Sequence, residues 1–127
     1  SNYGYLEIQI CVSGKGIHAS LADTQKNPIE AVLHLILEIK NHMERKEPQA
    51  VCNIRDLFSS QAGFAVPDRC EAWLDVHLPP TAPVGEIVLE MEDIFGRERK
   101  RGSGLNATIQ FVTIDGGYEL PEKGAVV

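Results

Sequence analysis

The 127-residue chain is long enough for one domain with a single hydrophobic core, and its net charge of −6 argues against nucleic acid or an anionic membrane as partner. Its longest apolar run, Ala31 to Ile39, is broken by His34 and Glu38 and falls short of the roughly 20 residues a spanning helix needs. Cys11, Cys52 and Cys70 are odd in number and scattered, so they read as small hydrophobes of a reducing compartment, and the cytoplasm is the expected location.

From Tyr5 to Val12 the residues alternate: Leu6, Ile8, Ile10 and Val12 face one way and Tyr5, Glu7, Gln9 and Cys11 the other, which predicts a strand with one wet face. Gly14-Lys15-Gly16-Ile17-His18-Ala19-Ser20 follows as a glycine-flexed loop carrying one histidine. Its imidazole can exchange a proton or a hydrogen bond near neutral pH, or simply be solvated. Asn27-Pro28-Ile29-Glu30 then opens a helix, with Asn27 as N-cap and Pro28 at the first helical position. Ile29, Val32, Leu33, Ile36, Ile39 and Met43 form its expected core stripe, leaving His34, Leu35 and His42 off it, and Pro48 limits its extent.

A second strand, about Ala50 to Phe58, has polar residues on both registers and suits a sheet edge. The third, Arg69 to Leu78, turns Cys70, Ala72, Leu74, Val76 and Leu78 inward and Arg69, Glu71, Trp73, Asp75 and His77 outward. A second helix is predicted from about Pro83 to Phe95, with Gly96 as its stop. Leu105 to Ile114 gives the last strand. The order βαββαβ predicts an α+β, ferredoxin-like sandwich: a four-stranded antiparallel sheet with both helices on one face. We expect a single domain over residues 1–127, its core at about 4–116, cut from a longer protein. Ser1 and Asn2 take no part in it.

Little else reads as chemistry. His18, His34, His42 and His77 lack any metal-ligand spacing, so no metal site is expected within the chain. His34 and His42 are eight residues apart on one helix, about 12 Å along its axis, and read as rim or interface residues. His77, on the wet face beside Asp75, is a candidate substrate contact. Arg97, Arg99, Lys100 and Arg101 complement a helix C-terminus, and the sheet lacks the aromatic pair of an RNA-binding platform. Glu86, Glu90 and Asp93 read as a solvated face, and no base neighbours the cysteines. The residues alone describe an α+β module without a self-contained active site.

The segment Gly14 to Ser20, with Pro28-Ile29-Glu30-Ala31-Val32, Val66-Pro67-Asp68-Arg69-Cys70 and Asp75-Val76-His77-Leu78-Pro79-Pro80 in that order, resembles one family across about residues 4–118. It is similar to the dimerisation, or lid, domain of the zinc-dependent amidohydrolases and peptidases that include acetylornithine deacetylase, succinyl-diaminopimelate desuccinylase, aminoacylase and carboxypeptidase G. The resemblance implies a homodimer, a partner catalytic domain in the same parent chain that holds two zinc ions, and a substrate that is an N-acyl amino acid or small peptide. It implies no cofactor within this piece, which alone would be inactive. It further implies that His18 reaches in trans to the partner's active site and hydrogen-bonds the scissile carbonyl, with Gly16, Ser20 and His77 as substrate-binding residues. The chain departs from many relatives in reading Phe64-Ala65 before Val66-Pro67, where they carry Asn, and His77 where they carry Arg, so the substrate stays open. The dimer is expected to join second strands edge to edge, with the first helices alongside, the off-stripe His34, Leu35 and His42 facing the partner. The alternative is a free-standing ferredoxin-like ligand-binding or regulatory module whose glycine loop cradles a small anion. A His-x-Asp motif upstream in the parent reading frame would decide between them.

Overall fold

The computed structural model describes residues 4–14, 27–60, 67–101 and 105–115. Six elements follow in the expected order: β1 (Gly4–Gly14), α1 (Pro28–Lys46), β2 (Val51–Ser59), β3 (Arg69–Leu78), α2 (Val84–Arg101) and β4 (Leu105–Asp115). All strand pairs are antiparallel, in the sheet order β2-β3-β1-β4. This is the α+β ferredoxin-like architecture, with both helices packed on one face of the sheet.

Strand alternation decides which face is dry. Leu6, Ile8, Ile10 and Val12 of β1 and Cys70, Ala72, Leu74, Val76 and Leu78 of β3 are all buried under the helices. At β4 the register slips by one residue opposite Glu7 and Ile8, so that Val112 is left as the extra, exposed residue. The bulge changes the parity of the strand and brings Ile114 opposite Leu6, where continued alternation would have put Thr113.

Helix α1 starts as the sequence predicts. Asn27 is extended, its side-chain oxygen accepts from the Ile29 N–H at 2.9 Å, and Pro28 occupies the first turn. The core stripe differs by one residue from expectation. Val32, Leu35, Ile36, Ile39 and Met43 are buried, whereas Leu33 is exposed. At 100° per residue Leu35 and Leu33 flank the arc of Val32, Ile36, Ile39 and Met43 on opposite sides, Leu35 about 40° beyond it and Leu33 about 60°, and the packing buries the nearer one.

Helix α2 corrects a second expectation, because it runs through Gly96 to Arg101. Gly96 costs helix propensity but does not break the hydrogen-bond ladder. The turn beyond it is held by the Arg97–Asp93 ion pair, four residues apart, and by Glu98, which meets His34 of α1 at 3.0 Å. The basic cluster therefore begins inside the last turns of α2, not after its end. No helix of the described residues is long and apolar enough to cross a membrane.

Candidate functional site

The end of the sheet that precedes the glycine loop is firmly built. The N–H of Gly14 donates to the carbonyl of Asp68 at 2.8 Å, which closes β1 against the start of β3. Chain 15–26, with Gly16, His18 and Ser20, lies outside the described residues. At this end a cleft of about 310 Å³ opens between the start of α1 and the end of α2, lined among others by Val12, Glu30, His34, Arg99 and Leu105. His77 stands elsewhere. It pairs with Tyr5, while Arg69 of the same strand pairs with Ser13, so eight residues of strand, about 26 Å, separate His77 from the Gly14 end. Within one copy His77 thus stands at the opposite end of the sheet from Gly14.

His77 instead rests its ring 5.1 Å from that of Tyr5, beside a charged cluster on the open sheet face. A second bulge sits between Ile54 and Asp56 of β2, and its extra residue is Arg55. The guanidinium donates to Glu7 at 2.6 Å and Asp75 at 3.0 Å, and lies 5.4 Å from the ring of Trp73. Asp75 also accepts from the Tyr5 hydroxyl at 2.7 Å, and this bond, with burial second, pushes the Tyr5 phenol above its ordinary pKa. Each acid of the cluster has a partner, so the group ties β2 to β3 and β1 and offers no free acid or base. Sequence reasoning placed Glu7, Trp73, Asp75 and His77 on this face but missed Arg55, since only the bulge turns it there.

The three thiols fit their structural reading. Burial pushes Cys11, Cys52 and Cys70 above the ordinary thiol pKa, the reverse of what a nucleophile needs.

His34, which is exposed, and His42, which is half-buried, both turn to carboxylates of α2, and Leu35 is core. His42 meets Glu90 at 2.7 Å and His34 meets Glu98 at 3.0 Å. Two residues eight apart on α1 thus match two residues eight apart on antiparallel α2. Glu90 is joined by Lys46 as well, so this carboxylate is a helix clamp, not simply a solvated charge.

The surface left for a partner lies on the opposite flank of α1. Lys40 reaches across to the Cys52 carbonyl of β2 at 2.7 Å, which fixes the flank of α1 that overhangs the sheet edge. Leu33 and Leu37 lie seven and three residues before Lys40, hence on the same flank, and both are exposed. Below them Ile54 and Leu57 of β2 share the helix-side face of the sheet and are also exposed, while Phe58, on the open face, is 56% exposed. A sheet edge with an apolar flank on both α1 and β2 is a surface built to be covered.

The family model for the peptidase dimerisation domain matches residues 1–103. The chain belongs to that family. Solved structures with the same fold as this dimerisation domain include a hydantoinase/carbamoylase family amidase from Burkholderia ambifaria, at 15% identity and TM-score 0.77, covering 90% of this chain and 28% of that one. An amidase of the same family from Burkholderia multivorans gives 13% identity and TM-score 0.76, again over 90% and 28%. One from Burkholderia phymatum gives 16% and 0.67, over 90% and 29%. The chain therefore spans under a third of the length of these structures. Comparison with curated proteins gives no significant match. The family match stops short of β4, yet β4 completes the sheet of the dimerisation domain beside β1.

Among the described residues no three His, Cys, Asp or Glu side chains come together to hold a metal ion.

Proposed function

We propose that this dimerisation domain joins two copies of an amidohydrolase or peptidase and serves as the lid of its active site, in a two-zinc enzyme that hydrolyses N-acyl amino acids or small peptides. The zinc ligands belong to a catalytic domain elsewhere in the parent chain. Self-association runs through the β2 edge and the Leu33–Leu37 flank of α1, and His18 is supplied across the two-fold to the partner's active site. There it donates a hydrogen bond to the scissile carbonyl and to the negative charge that develops on it, while Gly16, Ser20 and His77 contact substrate. A reducing, cytoplasmic setting is part of this reading and rests on three scattered free cysteines.

One observation carries the proposal: in a chain of the dimerisation family, the exposed large hydrophobics concentrate on one sheet edge and the helix flank above it. Burial of such a stripe contributes about 25 cal/mol per Å² of apolar area, which favours a symmetric partner presenting the same stripe. Sedimentation equilibrium tests it. The protein is expected to sediment as a dimer, and Leu37→Glu with Leu57→Asp is expected to give a folded monomer. A monomeric wild-type protein at high concentration would overturn the reading. The substrate class is tested by supplying the intact parent with zinc and a panel of N-acyl amino acids and peptides.

A further inference from the structure

The cleft between the start of α1 and the end of α2 has no part in the function proposed above, and its lining is sorted by chemistry. Its volume of about 310 Å³ lies at the small end of ligand pockets. Val12, Leu35 and Leu105 supply aliphatic surface, and the small side chains of Ala31 and Ala107 leave the space that larger ones would fill. Charges gather at the rim. Glu30 and His34 are one turn apart on α1, and His34 meets Glu98 of α2 at 3.0 Å, which brings the next residue, Arg99, to the same mouth.

The His34–Glu98 contact is already made, but two rim charges are left over. Glu30 and Arg99 are both exposed, and among the described residues neither side chain has an ion-pair or hydrogen-bond partner. One carboxylate and one guanidinium thus stand over an aliphatic floor. Asn27 adds a donor on the α1 wall, because its side-chain oxygen is committed to the Ile29 N–H and its amide N–H groups remain.

An occupant has to answer all of these groups. A purely apolar molecule leaves both charges without a partner. A simple anion gains Arg99 and Asn27 but meets the repulsion of Glu30, and a simple cation has the converse difficulty with Arg99. A molecule with a carboxylate and an ammonium at one end and an aliphatic group at the other satisfies the whole set: the guanidinium pairs with the carboxylate, Glu30 accepts from the ammonium, and the aliphatic group covers the floor. We propose that this cleft binds a free aliphatic α-amino acid of about leucine's size, held by Arg99 and Glu30 above Ala31 and Ala107. Capping either end of the amino acid removes one of the two charges, so the site selects the free form over the acylated or amidated one. It lies away from the β2 edge and from the open sheet face that carries His77, and it stands separately from the self-association and the hydrolysis proposed above.

Isothermal titration calorimetry of the full chain with L-leucine tests the site. Saturation is expected in about the millimolar range, the scale for a ligand of about nine heavy atoms. Leucinamide, which lacks the carboxylate, and N-acetyl-leucine, which lacks the ammonium, are each expected to bind at least about tenfold more weakly, as is glycine, which lacks the aliphatic group. Arg99→Gln is expected to erase the preference for leucine over leucinamide, and Glu30→Gln the preference for leucine over N-acetyl-leucine. Both residues are exposed, so circular dichroism is expected to show wild-type folding in each. Ala31→Leu fills the floor and is expected to abolish binding while the helix is kept. Absence of saturation by about 10 mM leucine would overturn the proposal. So would leucinamide or N-acetyl-leucine binding as tightly as leucine, unchanged preferences in the two charge variants, or wild-type binding by a folded Ala31→Leu.

Discussion

Asn27 and Glu90 are single residues whose contributions can be separated from the rest of the fold. The Asn27 side chain satisfies one of the donors that a helix start leaves open, the Ile29 N–H. Asn27→Ala is expected to cost about 1 kcal/mol in thermal or urea unfolding, with the helix content of the folded state unchanged. At Glu90 the hydrogen bond from His42, then the contact with Lys46, holds the carboxyl below its ordinary value of 4.5. A lowered carboxyl means that the folded state favours the charged form. Its stabilisation is present above the unfolded value and is lost as pH falls through the lower folded one. Melting curves of Glu90→Gln and the wild type are therefore expected to differ near neutrality and to converge as pH falls below 4.5 and on through the lower folded value. A constant gap across the whole range would show that the clamp is not electrostatic. The residue Arg55 makes a different point about scale, since its role depends on a bulge that no local sequence signal announces.

At the level of elements, most of the fold was legible because strand alternation and helix capping are local. Leu6 to Val12 and Cys70 to Leu78 read at a period of two, and both strands lie where that period puts them. Three features escaped for physical reasons. Choosing Leu33 over Leu35 as core is a matter of helical phase, which only the contact with the sheet decides. The bulges at Arg55 and Val112 are set by pairing between distant strands. The end of α2 was misplaced because glycine is only a weak stop when flanking side chains hold the next turn. That last correction yields a prediction. Gly96 is helical, and a methyl group there would meet nothing within 4 Å. Gly96→Ala is expected to stabilise the protein by about 0.5–1 kcal/mol, since it removes unfolded-state freedom without a clash. Calorimetry showing a lower melting temperature would mean that the helix end needs the glycine after all. Of the candidate site, the edge character of β2 was legible from its two-sided polarity, but the flank of α1 that accompanies it was assigned to the wrong residues. Lys40 reaching Cys52 is what reveals the true one.

For the whole molecule, the arrangement of ends and edges bears on how a lid would serve an active site it does not contain. The Gly14–Asp68 closure fixes the end of β1 at one end of the sheet, and Asn27 caps the start of α1, so the described residues on either side of positions 15–26 are both held. The proposed interface runs along β2, at the edge of the sheet, and a two-fold there carries each loop end to a fixed place relative to the other copy. His18 on such a loop, if it acts across the two-fold, must be dispensable for folding and necessary for turnover. His18→Ala in the intact parent enzyme is thus expected to lower turnover by about a hundredfold or more, the scale of losing one oxyanion donor, with dimerisation and melting temperature unchanged. The trans character has its own signature. Mixing His18→Ala with a variant whose catalytic domain is disabled produces heterodimers in which one intact catalytic domain receives one intact histidine from its partner, so part of the activity returns. A histidine acting within its own copy gives no such rescue, because each heterodimer would then hold two defective sites, and verified heterodimers without activity would exclude the trans role.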